Sequence, residues 1–164
     1  MLNAQTTLFA ARLGKLLDQL NLSISCAESC TGGGLAYAIT SVAGSSGWFK
    51  QSYVTYCNEA KTQMLNVPVK TLNEDGAVSQ ATVEYMVKGC AQAACADVAV
   101  SISGIAGPGG GSAEKPVGLV WFGFFVNGNI LTKHVIFDGD RSSIRLQAID
   151  FALGKIIEQI ENSK

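Results

Sequence analysis

Leu22-Ser23-Ile24-Ser25-Cys26, running directly into Ala27-Glu28-Ser29-Cys30-Thr31-Gly32-Gly33-Gly34, is the stretch on which the fold turns. Leu22, Ile24 and Cys26 alternate with Ser23 and Ser25 at a period of two, which predicts a first strand. Three glycines then open a helix over 35–42. A strand ending in a small nucleophile, a tight turn and a helix start places free N–H groups where negative charge is favoured. Phosphate cradles and oxyanion holes are built this way, and so are ordinary tight turns. Within it Ser29 is the candidate nucleophile of a small hydrolase; without context it is also a good helix cap.

Outward from this stretch, the chain alternates. Phe9, Leu13, Leu16, Leu17 and Leu20 form one stripe of an N-terminal helix over 3–20. Ala43-Gly44-Ser45-Ser46-Gly47 ends the second helix, and a second strand is expected over 49–57. Asn58 is expected to cap a short helix reaching about Leu65, which puts Lys61 at its third position. There the positive end of the helix dipole disfavours the ammonium form and prepares Lys61 for general-base work. Residues 68–76 read as a polar connection. Ser79 caps a helix carrying Val83, Met86, Val87, Cys90 and Ala94, and a third strand follows over 97–103. It opens into Gly104-Ile105-Ala106-Gly107-Pro108-Gly109-Gly110-Gly111-Ser112. Segments 117–126 and 130–137 flank Asn127-Gly128, a type I′ hairpin signal. Asp138-Gly139-Asp140 turns the chain into a last helix whose buried stripe is Leu146, Ile149, Leu153, Ile156 and Ile160.

This order predicts one domain over residues 1–164, a three-layer α/β/α sandwich with a mixed, mostly parallel sheet and one C-terminal β-hairpin. Sites in open α/β sheets gather at the carboxyl ends of strands. Those ends carry Glu28-Ser29, the stretch from Asn58 to Lys61, and Ser103 with the second glycine loop.

Composition narrows the function. The 164 residues are 48% hydrophobic and 15% charged, with a net charge of -1, and that offers no basic footprint for nucleic acid or an anionic membrane. The run 117–126 is too short to span a bilayer, and the N-terminus lacks a secretory core, which places the protein in the cytoplasm. Five cysteines and one histidine, His134, lack zinc or disulfide spacing, so neither metal nor cofactor is expected. His134 falls on a hairpin strand, which leaves a Ser-His-Asp triad poorly supported. A Ser29–Lys61 pair needs no histidine. Cys30 is the alternative nucleophile, and a non-catalytic nucleotide-binding module is the alternative class.

Three motifs then stand in order: Ala27 to Gly33, Tyr56-Cys57-Asn58-Glu59-Ala60-Lys61, and Ser103 to Gly110, with Glu114-Lys115-Pro116-Val117-Gly118 beyond. With them the chain resembles the CinA C-terminal domain family, whose stand-alone members include nicotinamide mononucleotide amidases. The resemblance implies hydrolysis of the carboxamide of nicotinamide mononucleotide to nicotinate mononucleotide and ammonia, without a metal. It implies a Ser-Lys mechanism on Ser29 and Lys61, with Tyr56 and the hydroxyl of Ser103 assisting, and it implies a homodimer. The family commonly has threonine at the position of Ser103 and serine at that of Cys57. Thr31, Gly32, Gly33, Asn58, Gly104, Gly107, Gly109 and Gly110 are the expected substrate-binding positions. Arg141 and Arg145, one turn apart, suit phosphate oxygens or serve as surface charge.

Overall fold

A computed structural model describes residues 2–163. The first helix, α1 (Ala4–Leu20), is capped by Asn3, whose side chain accepts the Thr6 N–H, and it ends on a left-handed Asn21. Strand β1 (Ile24–Glu28) follows, then α2 (Gly34–Thr40), a 3₁₀ turn (Ser45–Gly47) and β2 (Phe49–Val54). Next come α3 (Asn58–Leu65), α4 (Val69–Glu74), α5 (Gln80–Ala94) and β3 (Val98–Gly104). The chain closes with β4 (Leu119–Val126), β5 (Asn129–Ile136) and α6 (Arg141–Asn162).

The five strands form one mixed sheet in the order β2-β1-β3-β4-β5. β1 pairs in parallel with β2 and β3, whereas β3–β4 and β4–β5 are antiparallel. The hairpin turn falls on Asn127 and Gly128, both at positive φ as a type I′ turn requires. Helices α1, α2 and α6 cover one face of the sheet, and α3, α4 and α5 cover the other.

The two faces differ in the size of their residues. Val98, Val100, Ile102, Phe122 and Phe124 fill the core beneath α6. The opposite face carries Ser25, Ala27, Ala99, Ser101 and Gly123, all small, so α5 lies close to the sheet. A methyl on Gly123 would sit 2.6 Å from the Val83 carbonyl oxygen, and the Ser101 hydroxyl donates to that same carbonyl at 2.7 Å. The serine alternation in β1 thus reports a small-residue packing face. Ser25 is fully buried, its Oγ accepting the Gln51 N–H at 3.2 Å.

Several boundaries depart from the sequence expectation. β1 begins at Ile24 and runs to Glu28, because pairing on both sides holds it in the sheet. β2 stops at Val54. The segment read as a polar connection contains α4, and Pro68 at its start is the helix-initiating signal that reading missed. In the last helix Ile144 is buried while Leu146 is only half-buried, a shift of the inner stripe near its start.

Candidate active site

Two main-chain hydrogen bonds fix the end of β1. The Ser29 N–H donates to the Ile102 carbonyl at 2.9 Å, and the Thr55 N–H donates to the Glu28 carbonyl at 2.9 Å. Both neighbouring strands therefore hold the residue pair from which the turn departs. Beyond it Gly32 (φ 60°) and Gly33 (φ 93°) take left-handed conformations that side chains rarely adopt. The chain reverses there into α2, and Gly34 lets α2 press on α6, since a methyl would meet Ile149 Cδ1 at 2.6 Å.

The structure brings Lys61 to Ser29. Lys61 is 1% exposed, and its Nζ lies 3.1 Å from Ser29 Oγ. The same nitrogen contacts the Thr55 carbonyl at 2.8 Å and the Tyr56 carbonyl at 3.3 Å. Burial lowers its pKa from the ordinary lysine value, because the ammonium loses water. The helix-dipole expectation needs correction in its details. Cys57, not Asn58, is the N-cap of α3, which moves Lys61 to the fourth helical position. Desolvation is the leading cause of the shift, with Nζ enclosed against Ser29 and the carbonyls of Thr55 and Tyr56.

Glu28, expected beside Ser29 at the end of the first strand, takes a role of its own. It is 0% exposed, its Oε2 accepts the N–H groups of Gly33 (3.1 Å) and Leu35 (3.0 Å), and its Oε1 accepts that of Ala36 (2.9 Å). The helix start expected to receive a ligand's negative charge is therefore occupied by the chain's own carboxylate. Gly32 is equally committed, its N–H donating to the Ser29 carbonyl at 3.0 Å. The N–H groups of Cys30 and Thr31 have no main-chain or side-chain acceptor among the described residues. Gly33 stands at the N-cap of α2 with no capping side chain of its own, and Glu28 supplies the missing acceptors.

The remaining expected residues divide between the near and the distant. Arg145 Nη2 donates to the Thr31 carbonyl at 3.0 Å, beside a cavity of about 470 Å³ lined also by Gly34, Ser142 and Ser143. Two buried polar atoms there, Thr31 Oγ1 and Arg145 Nε, have no hydrogen-bond partner among the described residues. Arg141 spans two site walls, donating from Nη1 to the Gly107 carbonyl at 2.8 Å and from Nη2 to the Tyr56 hydroxyl at 3.0 Å. The Tyr56 ring itself is exposed. Ser103 is buried on β3, but its hydroxyl donates to the Ala77 carbonyl at 2.7 Å and makes no hydrogen bond to Ser29 or Lys61. Asn58 is exposed at the first position of α3, where its side chain makes no hydrogen bond among the described residues. Gly104 is forced by packing, since a methyl would approach Val120 Cγ2 at 2.7 Å and the Leu119 carbonyl oxygen at 2.8 Å. Gly107 and Gly110 are at positive φ, while Gly109 faces open space.

Cys30 points the other way, into the core under α6, and burial pushes its thiol up to about 11. A thiol so held is protonated at neutral pH and a poor nucleophile. Among the described residues no group of three or more His, Cys, Asp or Glu side chains converges as a metal site would require. Nor is any described helix long and apolar enough to cross a membrane.

Residues 6–160 match the model of the CinA C-terminal domain. The chain is 54% identical over 145 residues to the nicotinamide-nucleotide amidohydrolase PncC of Enterobacter agglomerans, covering 88% of each. It is 48% identical over 160 residues to the protein of that name from Escherichia coli strain K12, covering 97% of each. Among solved structures, the competence/damage inducible protein CihA of Agrobacterium tumefaciens superposes with a TM-score of 0.94 at 43% identity. That likeness covers 96% of this chain and 97% of the other. With residues 6–160 matched by the family model and relatives 48–54% identical over most of its length, the chain belongs to the CinA C-terminal domain family.

Proposed function

We propose that this chain is a nicotinamide-nucleotide amidohydrolase that converts nicotinamide mononucleotide and water to nicotinate mononucleotide and ammonia with Ser29 and Lys61. The observation that carries this reading is the 3.1 Å approach of Lys61 Nζ to Ser29 Oγ in a buried setting. A neutral amine has two N–H bonds and one lone pair. The carbonyls of Thr55 and Tyr56 accept the two hydrogens, which directs the lone pair at the Ser29 hydroxyl. Lys61 takes the hydroxyl proton as Oγ bonds to the carboxamide carbon. The same two carbonyls then steady the ammonium that forms.

The N–H groups of Cys30 and Thr31 serve the oxyanion, being the unclaimed donors next to the nucleophile. Lys61 returns the proton to the amide nitrogen, the C–N bond breaks and ammonia leaves. Water, deprotonated by Lys61, attacks the resulting ester, and nicotinate mononucleotide departs as Ser29 recovers its proton. The cavity beside Arg145 and Thr31 takes the phosphate, to whose oxygens the Arg145 Nε–H and the Thr31 hydroxyl both donate. Arg141 closes the far wall through Tyr56 and Gly107, and domain organisation over residues 1–164 is that of one catalytic unit.

Side-by-side measurement of ammonia and nicotinate mononucleotide from wild type and Ser29→Ala tests the reading. Wild type turns over, and the variant loses about 10³-fold or more in kcat, as is usual when a nucleophile is deleted. Full activity in Ser29→Ala removes Ser29 from the mechanism.

A further inference from the structure

Glu28 stands out because a fully buried carboxylate is expensive and this one has no cation beside it. The ion pairs among the described residues, Arg12–Glu161, Lys70–Glu74 and Lys155–Glu158, all lie elsewhere. What offsets its desolvation is the set of three main-chain N–H groups from Gly33, Leu35 and Ala36, with the Cys26 thiol 3.7 Å from Oε1. An exposed Ser, Thr or Asp at the N-cap would cap α2 at far lower cost. The chain instead places a glycine there and reaches back to the residue that immediately precedes Ser29.

The geometry has a consequence for the turn. The main chain of Glu28 is anchored to β2 and that of Ser29 to β3. The Glu28 side chain is anchored to the first turn of α2, so residues 29–32 are bound at both ends. Within that closed loop Ser29 Oγ meets Lys61 Nζ, and the N–H groups of Cys30 and Thr31 are left without acceptors. Without the carboxylate, the N–H groups of Gly33, Leu35 and Ala36 would compete for the same negative charge.

We propose that Glu28 is a positioning residue for the reaction: by binding Gly33, Leu35 and Ala36 it holds the Ser29 turn in its reactive form and confines oxyanion binding to Cys30 and Thr31. The inference rests on the Ser-Lys reading above. It predicts a defect in the chemical step and little in substrate binding, because the side chain is sealed from solvent and from the cavity beside Arg145.

Two variants and two readouts test it. Glu28→Gln keeps the shape but turns an amide NH₂ toward main-chain N–H groups; Glu28→Asp keeps the charge but withdraws it by one methylene. Each is compared with wild type by steady-state kinetics on nicotinamide mononucleotide and by the rate of Ser29 labelling with a fluorophosphonate, with near-UV circular dichroism reporting the folded state. The expected result is a kcat lowered at least about tenfold with KM within about threefold, and labelling slowed in parallel. A purely structural Glu28 would lower the melting temperature and leave kcat and labelling rate per folded molecule unchanged; that result in either variant overturns the proposal. If Glu28→Gln fails to fold, Glu28→Asp decides by the same criteria. Wild type that turns over the substrate but is not labelled at Ser29 overturns the Ser-Lys reading, and the role of Glu28 with it. Labelled wild type with equally fast variants overturns the role of Glu28 alone.

Discussion

Gly89 lies on the outer helix α5, makes no contact with substrate in the reading above, and still ought to control the reaction. A methyl group built on it would stand 2.1 Å from the carbonyl oxygen of Leu65 and 2.9 Å from its carbonyl carbon, where real Cβ contacts stay beyond 3.0 Å. The obstacle is backbone, so no rotamer change relieves it. Gly89→Ala must push α3 away from α5 by about 1 Å, the order of displacement that costs about 10²-fold when it separates catalytic groups. Leu65 is one turn beyond Lys61 on the same helix. A shift of that size stretches the 3.1 Å contact between Lys61 Nζ and Ser29 Oγ out of hydrogen-bond reach.

The stability effect has two opposing parts. Alanine in a helix interior gains about 1 kcal/mol over glycine, and overpacking against an immobile neighbour costs about 3 kcal/mol at the upper end of its range. The net loss of about 2 kcal/mol lowers the melting temperature by about 4–8 °C for a chain of this size. Calorimetry and kcat/KM for ammonia release from nicotinamide mononucleotide read the two effects. A Gly89→Ala protein with wild-type melting and wild-type turnover would refute the link between the α3–α5 contact and the Ser29–Lys61 geometry.

Four further outcomes are expected. Because burial lowers the Lys61 pKa, turnover rises with pH through that lowered value, and Lys61→Met shows no such limb because it is inactive. The unfolded state holds the lysine proton over the window between the lowered value and the ordinary lysine value, so wild-type stability gains with rising pH there. Melting curves of wild type relative to Lys61→Met therefore climb across that window, and a flat difference would contradict a perturbed Lys61. Gly154→Ala on α6 makes only ordinary contact with the Phe9 ring at 3.4 Å, so the helix-propensity gain of about 1 kcal/mol should raise melting by about 2–4 °C with activity unchanged; a drop in melting would show that Phe9 cannot accommodate the methyl. Cys30→Ala should cost about 1 kcal/mol for the lost core sulfur and keep turnover within about threefold, whereas a folded but inactive variant would make the thiol the nucleophile.

Much of this protein was legible in the chain itself. The stripe of α5, that of α1 apart from Leu20, which is exposed at the helix end, and the Asn127-Gly128 turn follow from which residues can face water and which backbones can take positive φ, and both are local properties. Ser79 is such a case, its side chain accepting the Thr82 N–H at 3.2 Å as expected. The strand ends carrying Ser29, Lys61 and the second glycine loop could also be named, since sites on open sheets collect there. Family resemblance, carried by three ordered motifs, agreed with the later comparisons.

Distances and faces were decided elsewhere. Ser25 and Ser101 alternate as solvent-facing serines do, yet they are buried because α5 covers that face of the sheet. Glu28 reads as the strand-end neighbour of Ser29, and its partners exist only because α2 folds back and presents three N–H groups to it. Arg141 and Arg145 tie α6 to Gly107, Tyr56 and Thr31 across more than thirty residues of sequence, which no local period can encode. The sequence by itself determined which residue types stand at the strand ends and the helical or extended character of most segments. Only the order β2-β1-β3 and the packing of α3 on α5 decided that Lys61 is dry and within reach of Ser29, because burial and approach are properties of neighbours supplied by distant parts of the chain.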